Sequence, residues 1–365
     1  MSASPSIVDT PEEAAAQERP PLLVRQPLEA VLDAAGIGSG PIEADPIGDG
    51  HSNITYLIRR GDAEVVLRRP PRPPLPPSAH DVIREARLLR ALESQPVRTP
   101  RVLLIHEDET TIGGPFYVME RVAGDVISTT LPERFVPEST HAPLIEELVD
   151  ALVELHAVDW RGAGLEWFGK GDDRYLERQL RRFGGLWELN ATRAVPEVEE
   201  TAAWLAERRP VQRESTLVHG DYRLGNVMFG PGSTAGGRDI RLTAIFDWEL
   251  STIGDPLADV GYLTATYNEG GGASGPMAEL TPVTAGPGFP SRAQILERYA
   301  AGSGRELAEV GWYQALAIWK SAVFLEGSYK RHRAGSTDDP FFAALEQGVP
   351  LLARHALELA QGSAA

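Results

Sequence analysis

The chain has 365 residues, enough for one large domain or two ordinary ones, and its 42% hydrophobic and 24% charged residues are typical of a soluble globular protein. Asp and Glu number 52 against 35 Lys and Arg, a formal charge of −17 that argues against nucleic acid or a membrane surface as partner, since both demand a basic footprint. The absence of cysteine excludes disulfides, thiolate metal ligands and a cysteine nucleophile; no apolar run approaches the ~18 residues of a membrane span, and the first residues, MSASPSIVDTPEEAAAQERPP, lack the basic start and apolar stretch of a secretion signal, so a cytoplasmic protein is expected.

Residues 1–24 are polar, rich in Pro, Glu and Ala and aperiodic, which predicts a mobile tail. A short helix follows at Gln26–Ala35 and ends at Gly36. Alternating runs at Ile42–Ile47, Ile54–Arg59 and Glu64–Arg69, separated by Gly-rich turns, predict a small antiparallel sheet. Six of the eight residues in Pro70–Pro77 are proline, which can neither continue a helix nor donate to a ladder. Ser78 and Asp81 then read as a capping box that opens a helix running to Glu93, with Val82, Ala86, Leu89 and Leu92 on its buried stripe. Arg101–Ile105 and Phe116–Val122 complete an α+β lobe spanning residues 25–121.

Residues 122–365 have a different character. Leu144–His156, Tyr175–Leu189 and Glu197–Arg208 carry helical periodicity. Asn226–Phe229 and Arg241–Phe246 form a hairpin around the loop Gly230–Arg238. Helix resumes at Pro256, is interrupted by a Gly/Pro-rich surface loop or lid at Asn268–Pro290, and restarts at the capping residue Ser291. The last two helices are apolar and aromatic, with Trp312, Leu316, Trp319, Val323 and Phe324 on the first and Phe342, Leu345, Val349 and Leu352 on the second.

The densest chemical signal is Leu217-Val-His-Gly-Asp-Tyr-Arg-Leu-Gly-Asn226 followed by Ile245-Phe-Asp-Trp-Glu249. His219, Asp221 and Asn226 reproduce the H-x-D-x-x-x-x-N spacing of a phosphoryl-transfer loop. Such chemistry asks for a carboxylate beside the acceptor hydroxyl and for oxygen ligands to magnesium. Asp221 suits the first task. Asn226 begins one hairpin strand and Asp247 ends the other, so antiparallel pairing sets them about one strand spacing apart, a candidate cage for Mg²⁺.

HGDYRLGNVMF and FDWELSTIGDPLADVGYL resemble the motifs of the aminoglycoside phosphotransferase-like, or choline-kinase-like, superfamily, and more narrowly the kinase-like domains fused to some acyl-CoA dehydrogenases. The similarity runs from about Gln26 to the final helices and is most specific at the catalytic loop. It implies a protein-kinase-like bilobal fold with ATP in the cleft between the lobes. By that resemblance Ile47-Gly-Asp-Gly-His-Ser-Asn53 is the phosphate-covering loop, with Gly50, Ser52 and Asn53 near the phosphates. Val65-Val-Leu-Arg68 stands where the family has V-A-I-K, so Val66 faces adenine and Arg68 replaces the usual lysine, with Glu85 as its ion-pair partner. Arg69 next door leaves the register open. The Glu120 carbonyl and Val122 amide would hold the adenine edge, His219 and Asp259 would support the catalytic loop, and Asp255 would cap the helix starting at Pro256.

Only seven residues separate Asp247 from Asp255, too few for a peptide-docking segment, which points to a small-molecule acceptor. The narrower resemblance favours a hydroxyacyl-CoA or similar hydroxylated metabolite; the alternatives are an antibiotic phosphotransferase and a pseudokinase, the latter motivated by Arg68. Glu326, Asp338 and Asp339 read as solvated surface before a site for a cationic amino sugar, Trp312, Trp319 and Tyr329 as core before the lining of an aromatic pocket, and Arg174, Arg178, Arg181 and Arg182 as a basic helix face that is either solvated or turned to an anionic substrate. The oligomeric state is not legible.

Overall fold

A computed structural model of the chain describes residues 6–48, 53–73, 80–232, 240–270, 277, 280–335 and 340–362. They divide into two compact units, Met1–Gln95 with Thr99–Ala123, and Pro96–Arg98 with Gly124–Ala365.

The first unit opens with β1 (Ile7–Val8), the single-turn helix α1 (Pro11–Ala15), β2 (Leu23–Val24) and α2 (Arg25–Ala34). β1 and β2 pair in parallel, and the Thr10 side chain caps α1 by accepting the Glu13 amide. From Ser6 onward this segment is therefore folded rather than the tail that composition predicts. Val8, Leu22, Leu23 and Val24 are buried in one cluster with Leu28, Tyr56, Ile58, Leu67 and Phe116. A few apolar anchors within a polar stretch are enough when their partners come from elsewhere in the chain.

Five strands follow the alternation closely: β3 (Glu43–Ile47), β4 (Ile54–Arg60), β5 (Ala63–Arg69), then, after the helix α3 (Val82–Leu92), β6 (Val102–His106) and β7 (Phe116–Glu120). They form one antiparallel sheet in the order β3-β4-β5-β7-β6. Val65 and Leu67 face the cluster above, so Val66 and Arg68 point to the opposite face, on which α3 lies. α3 buries Val82, Glu85, Ala86, Leu88, Leu89 and Leu92. Its cap is Asp81 itself, whose Oδ1 accepts the Arg84 amide at 2.9 Å. Asp81 thus stands outside the helix rather than in the third position of a box begun by Ser78, which lies outside the described residues.

The second unit contains β8 (Asp125–Val126), α4 (His141–His156), α5 (Tyr175–Asn190), α6 (Pro196–Glu207), β9 (Thr216–Val218), β10 (Val227–Pro231), β11 (Ile240–Ile245), β12 (Thr252–Gly254), α7 (Leu257–Thr266), α8 (Arg292–Ser303), α9 (Val310–Arg333) and α10 (Pro340–Gly362). β11, β10 and β8 make one small antiparallel sheet, and β9 pairs with β12. α9 is the central helix, packed by α5, α6, α7 and α10. Trp312 and Trp319 are core residues, and their indole N–H groups donate to the Leu205 and Val198 carbonyls of α6 at 3.1 and 2.9 Å. Tyr329 is buried with them.

One expectation about this unit gives way. Glu326 is fully buried rather than solvated, accepting from the Thr192 amide and hydroxyl and pairing with Arg193 at 3.1 Å; Asp338 and Asp339 lie outside the described residues. The described part of Asn268–Pro290 is a loop with one 3₁₀ turn, Pro282–Ala285, tied back onto α7. Thr281 and Thr284 are buried, Thr281 donates to the Thr266 carbonyl, and the Asn268 amide donates to Thr284 Oγ1. Ser291 caps α8 in a capping box with Gln294. Among the described residues no helix is long and apolar enough to cross a membrane.

Candidate active site

The loop from His219 to Asn226 joins β9 to β10 and ends in a single 3₁₀ turn, Leu224–Asn226. Gly220 has φ +86°, and a Cβ there would stand 2.7 Å from the Leu250 carbonyl oxygen, so no larger residue fits. His219 is fully buried. Its Nδ1 accepts the Asp221 amide at 3.2 Å, which leaves the proton on Nε2, and Nε2 donates to the Phe246 carbonyl at 2.8 Å. One imidazole thereby ties the loop to the residue before Asp247.

From α7, Asp259 receives the His219 amide on Oδ2 at 2.6 Å and the Gly220 amide on Oδ1 at 2.7 Å. His156, at the end of α4, donates from Nε2 to the same carboxylate at 3.1 Å and accepts the Tyr299 hydroxyl on Nδ1 at 2.7 Å. Burial pushes the His156 pKa down despite the carboxylate, so the ring is neutral. Burial opposes the Asp259 charge, yet the bonds from His156 and the loop amide hold its pKa below the ordinary carboxylate value. Asp255 accepts the Leu257 amide at 3.0 Å at the start of α7 and the Tyr313 hydroxyl at 2.7 Å.

Asp221 is held differently. Asn226 Nδ2 donates to its Oδ2 at 2.7 Å and to its carbonyl at 2.8 Å. Oδ1 is buried and receives no hydrogen bond among the described residues, with Arg223 Nε the facing cation at 3.5 Å. Burial works against the Arg223 charge, but Asp221 and Asp247 sustain it. Burial also pushes the Tyr262 hydroxyl well above its ordinary pKa, with the adjacent Asp221 carboxylate adding to the effect, so it stays protonated. Val227 pairs with Ile245, and the Phe246 amide donates to the Asn226 carbonyl at 2.8 Å, so Asn226 and Asp247 flank the end of the hairpin ladder. Asp247 has φ +63° and ψ 62°, a left-handed conformation costing a non-glycine residue about 1–3 kcal/mol, which recurs where a side chain must be aimed.

These groups can be tested against a divalent cation. Both Asn226 amide hydrogens are engaged on Asp221, which leaves Oδ1 as its ligand atom. Among the described residues no group of three or more His, Asp or Glu side chains is arranged to hold a metal. The protein's share is then one amide oxygen and one carboxylate. That set fits Mg²⁺, which keeps waters and takes phosphate oxygens beside few protein ligands.

In the first unit, Arg68 Nε pairs with Glu85 Oε2 at 3.1 Å, with the side chains 13% and 2% exposed. Arg69 turns to the other face, where its guanidinium donates to the Leu22, Ile112, Gly113 and Pro70 carbonyls. The open register is thus resolved: Arg68 is the paired residue and Arg69 a buried strut. Val66 is buried, and Asn53 is buried with Oδ1 3.2 Å from His80 Nδ1. Glu120 ends β7 opposite Val65, and Val122 follows just before the unit boundary. Gly50 and Ser52 lie outside the described residues.

Sequence reasoning missed Arg223, Tyr262 and the His156–Tyr299 relay. Arg223 sits inside the motif and was open to notice. His156 reads from periodicity only as the last buried position of α4.

Comparison with known proteins follows the same lines. The profile of the phosphotransferase enzyme family matches residues 43–313. Mouse acyl-CoA dehydrogenase family member 10 is 33% identical over 306 residues, covering 81% of this chain and 27% of that protein; the chain spans well under half the length of the curated relatives it matches. A Ralstonia eutropha protein provisionally assigned as an aminoglycoside phosphotransferase superimposes with a TM-score of 0.75 at 28% identity, over 92% of this chain and 98% of its own. Aminoglycoside phosphotransferase APH(4)-Ia, solved with AMP-PNP and hygromycin B, shares the fold at 15% identity with a TM-score of 0.59, over 92% and 98%. With its α+β, protein-kinase-like fold, the chain belongs to the phosphotransferase enzyme family.

Proposed function

We propose that this protein transfers the γ-phosphoryl group of ATP to a hydroxyl of a small-molecule acceptor, with a hydroxyacyl-CoA or similar hydroxylated metabolite as the favoured class. The observation that carries this reading is the Asp221 carboxylate, fixed through one oxygen by Asn226 while the other, buried, faces Arg223 at 3.5 Å and accepts no hydrogen bond among the described residues. That oxygen suits the proton of an acceptor hydroxyl. The acceptor oxygen attacks the γ-phosphorus as the bond to the bridging oxygen of ADP breaks, and the hydroxyl proton passes to Asp221.

When bound, ATP supplies the phosphoryl group and Mg²⁺ offsets the charge gathering on the departing ADP oxygens. Asn226 Oδ1 and the Asp247 carboxylate would hold the metal. Arg68, oriented by Glu85, would grip phosphate oxygens, its guanidinium standing in for a lysine as a bidentate donor. Gly50, Ser52 and Asn53 would cover the phosphates, and the Glu120 carbonyl and Val122 amide would take the adenine edge. His219 and Asp259 would keep the loop in shape. Support for a nucleotide comes from the AMP-PNP bound by the fold relative APH(4)-Ia, and support for the acceptor class from the acyl-CoA dehydrogenase relatives.

Arg68 favours a second reading, a nucleotide-binding module that does not transfer phosphate. The two separate in one experiment. The protein is incubated with Mg-ATP and a panel of hydroxyacyl-CoAs, amino sugars, amino alcohols and sugars, and products are read by mass spectrometry beside Asp221→Asn. A product gaining one phosphate that is absent with Asp221→Asn is the expected result, and its class also decides between metabolite and antibiotic. Equal product from both proteins would overturn the role of Asp221; nucleotide binding without any product would favour the module.

A further inference from the structure

Of Arg174, which precedes α5, and Arg178, Arg181 and Arg182 on it, three are neutralised: Arg174 and Arg181 by Glu177, at 3.1 and 3.8 Å, and Arg178 by Asp172. Arg182 differs. Among the described residues it makes no ion pair, and its guanidinium lies 5.9 Å from the centroid of the buried Phe183 ring. The same ring has a second cation 4.9 Å away, Lys320 Nζ of α9, which is half-buried and likewise without an ion pair among the described residues. Two cations on one ring repel each other, and cation–π attraction of about 0.5–2 kcal/mol is a modest offset. In a chain with 52 acidic residues, two such cations without an ion pair among the described residues stand out.

α7 and α9 pack together, and Tyr262 of α7, the neighbour of Asp221, rests on the same apolar cluster as Phe183. Burial and the Arg182 charge push the Lys320 pKa down to about 8, while Asp259 of α7 and Asp221 of the loop pull it up. Next to Arg182, α5 carries Gly184 and Gly185, where an added Cβ would meet nothing within 4 Å. Glycine inside a helix is about 1 kcal/mol worse than alanine, and no close packing demands these two. Gly185, three positions on and so on the same side of α5 as Arg182, leaves open space there for a ligand.

We propose that Arg182 and Lys320 form the anion-recognition point of the acceptor pocket, so that the acceptor carries a carboxylate or phosphate in addition to the hydroxyl that is phosphorylated. This deepens, and rests on, the phosphotransfer reading above. An anion here completes the missing ion pair and fixes the far end of the acceptor, which orients its hydroxyl.

The test compares hydroxy acids of increasing chain length with the matching diols, in which CH₂OH replaces the carboxylate, using the full chain and the variants Lys320→Met, Lys320→Arg and Arg182→Gln. Lys320→Met should raise KM for the hydroxy acid about tenfold or more with kcat little changed, leave the diol unaffected, and be rescued by Lys320→Arg. Calorimetric titration with coenzyme A, a free hydroxy acid and inorganic phosphate needs no transfer and reads which anion binds. Loss of that binding in Lys320→Met and Arg182→Gln, with unchanged melting temperature, supports the site even if no acceptor is ever phosphorylated, so the two readings can fail separately. Equal shifts in KM for acids and diols, or anion binding indifferent to both variants, would overturn it.

Discussion

Asp259 braces the loop that carries Asp221, and the protein solvates the two carboxylates differently. Asp259 is fully buried, and its two oxygens receive two backbone amides and one imidazole. Asp221, 20% exposed, has one oxygen tied to Asn226 and the other, among the described residues, left without a hydrogen bond. A carboxylate saturated by the protein holds shape; one left short is available to a reacting group. The adjacent arginines of β5 repeat the contrast. Arg69 is spent on main-chain carbonyls, whereas Arg68 pairs with the Glu85 carboxylate through its Nε and reaches the Thr55 hydroxyl with Nη1.

The sharpest way to break this comparison is to exchange the fates of the two aspartates. Asp221→Asn should lower turnover by at least about a hundredfold, a general-base effect, with ATP affinity nearly intact and melting temperature unchanged. Steady-state kinetics alongside calorimetry would show it. Asp259→Ala should instead cost about 3–5 kcal/mol of folding stability, because it leaves two amides and an imidazole buried without a partner. Denaturant titration measures this; a loss of turnover with no loss of stability would make Asp259 a reactive group after all.

The arginines give a smaller version of the same test. Arg69→Met should destabilise the protein by about 1–3 kcal/mol, the penalty for unpaired carbonyls, without a specific effect on nucleotide. Arg68→Lys should leave stability nearly unchanged and alter ATP affinity, with the sign informative: weaker binding marks the guanidinium as a working part, and a large gain in turnover marks a decayed site.

The smallest effect is a pH slope. The folded pKa values of His156 and Asp259 both lie below their ordinary values, so the unfolded chain takes up more protons as pH drops. Their contribution is complete above about pH 6.5 and is lost as pH falls, first at His156 and then, below about 3.9, at Asp259. Thermal melts between pH 7.5 and about 5 should therefore fall less steeply in His156→Gln than in the parent.

How much of this was readable beforehand follows from the range of the forces involved. Strand alternation, helix periodicity, the Ser291 cap and the H-x-D-x-x-x-x-N spacing are local, so residues a few positions apart carry them, and the hairpin brought Asn226 to Asp247 by ladder geometry alone. The family resemblance rested on the same short motifs. Alternation also left Arg68 and Arg69 on opposite faces, but only the tertiary structure says which one meets Glu85, since that depends on where α3 lies.

What tertiary structure alone decided are the partnerships between distant residues. Leu22, Leu23 and Val24 order a polar N-terminal stretch because a cluster from β4, β5 and β7 receives them. Glu326 is buried because Thr192 and Arg193 wait for it. His156 reaches Asp259 across 103 positions, and Lys320 shares a ring with Arg182 of another helix. Periodicity tells a residue which face it is on. It does not tell it what stands opposite, and the desolvation and pairing energies that fix the role of a charged group depend on that neighbour.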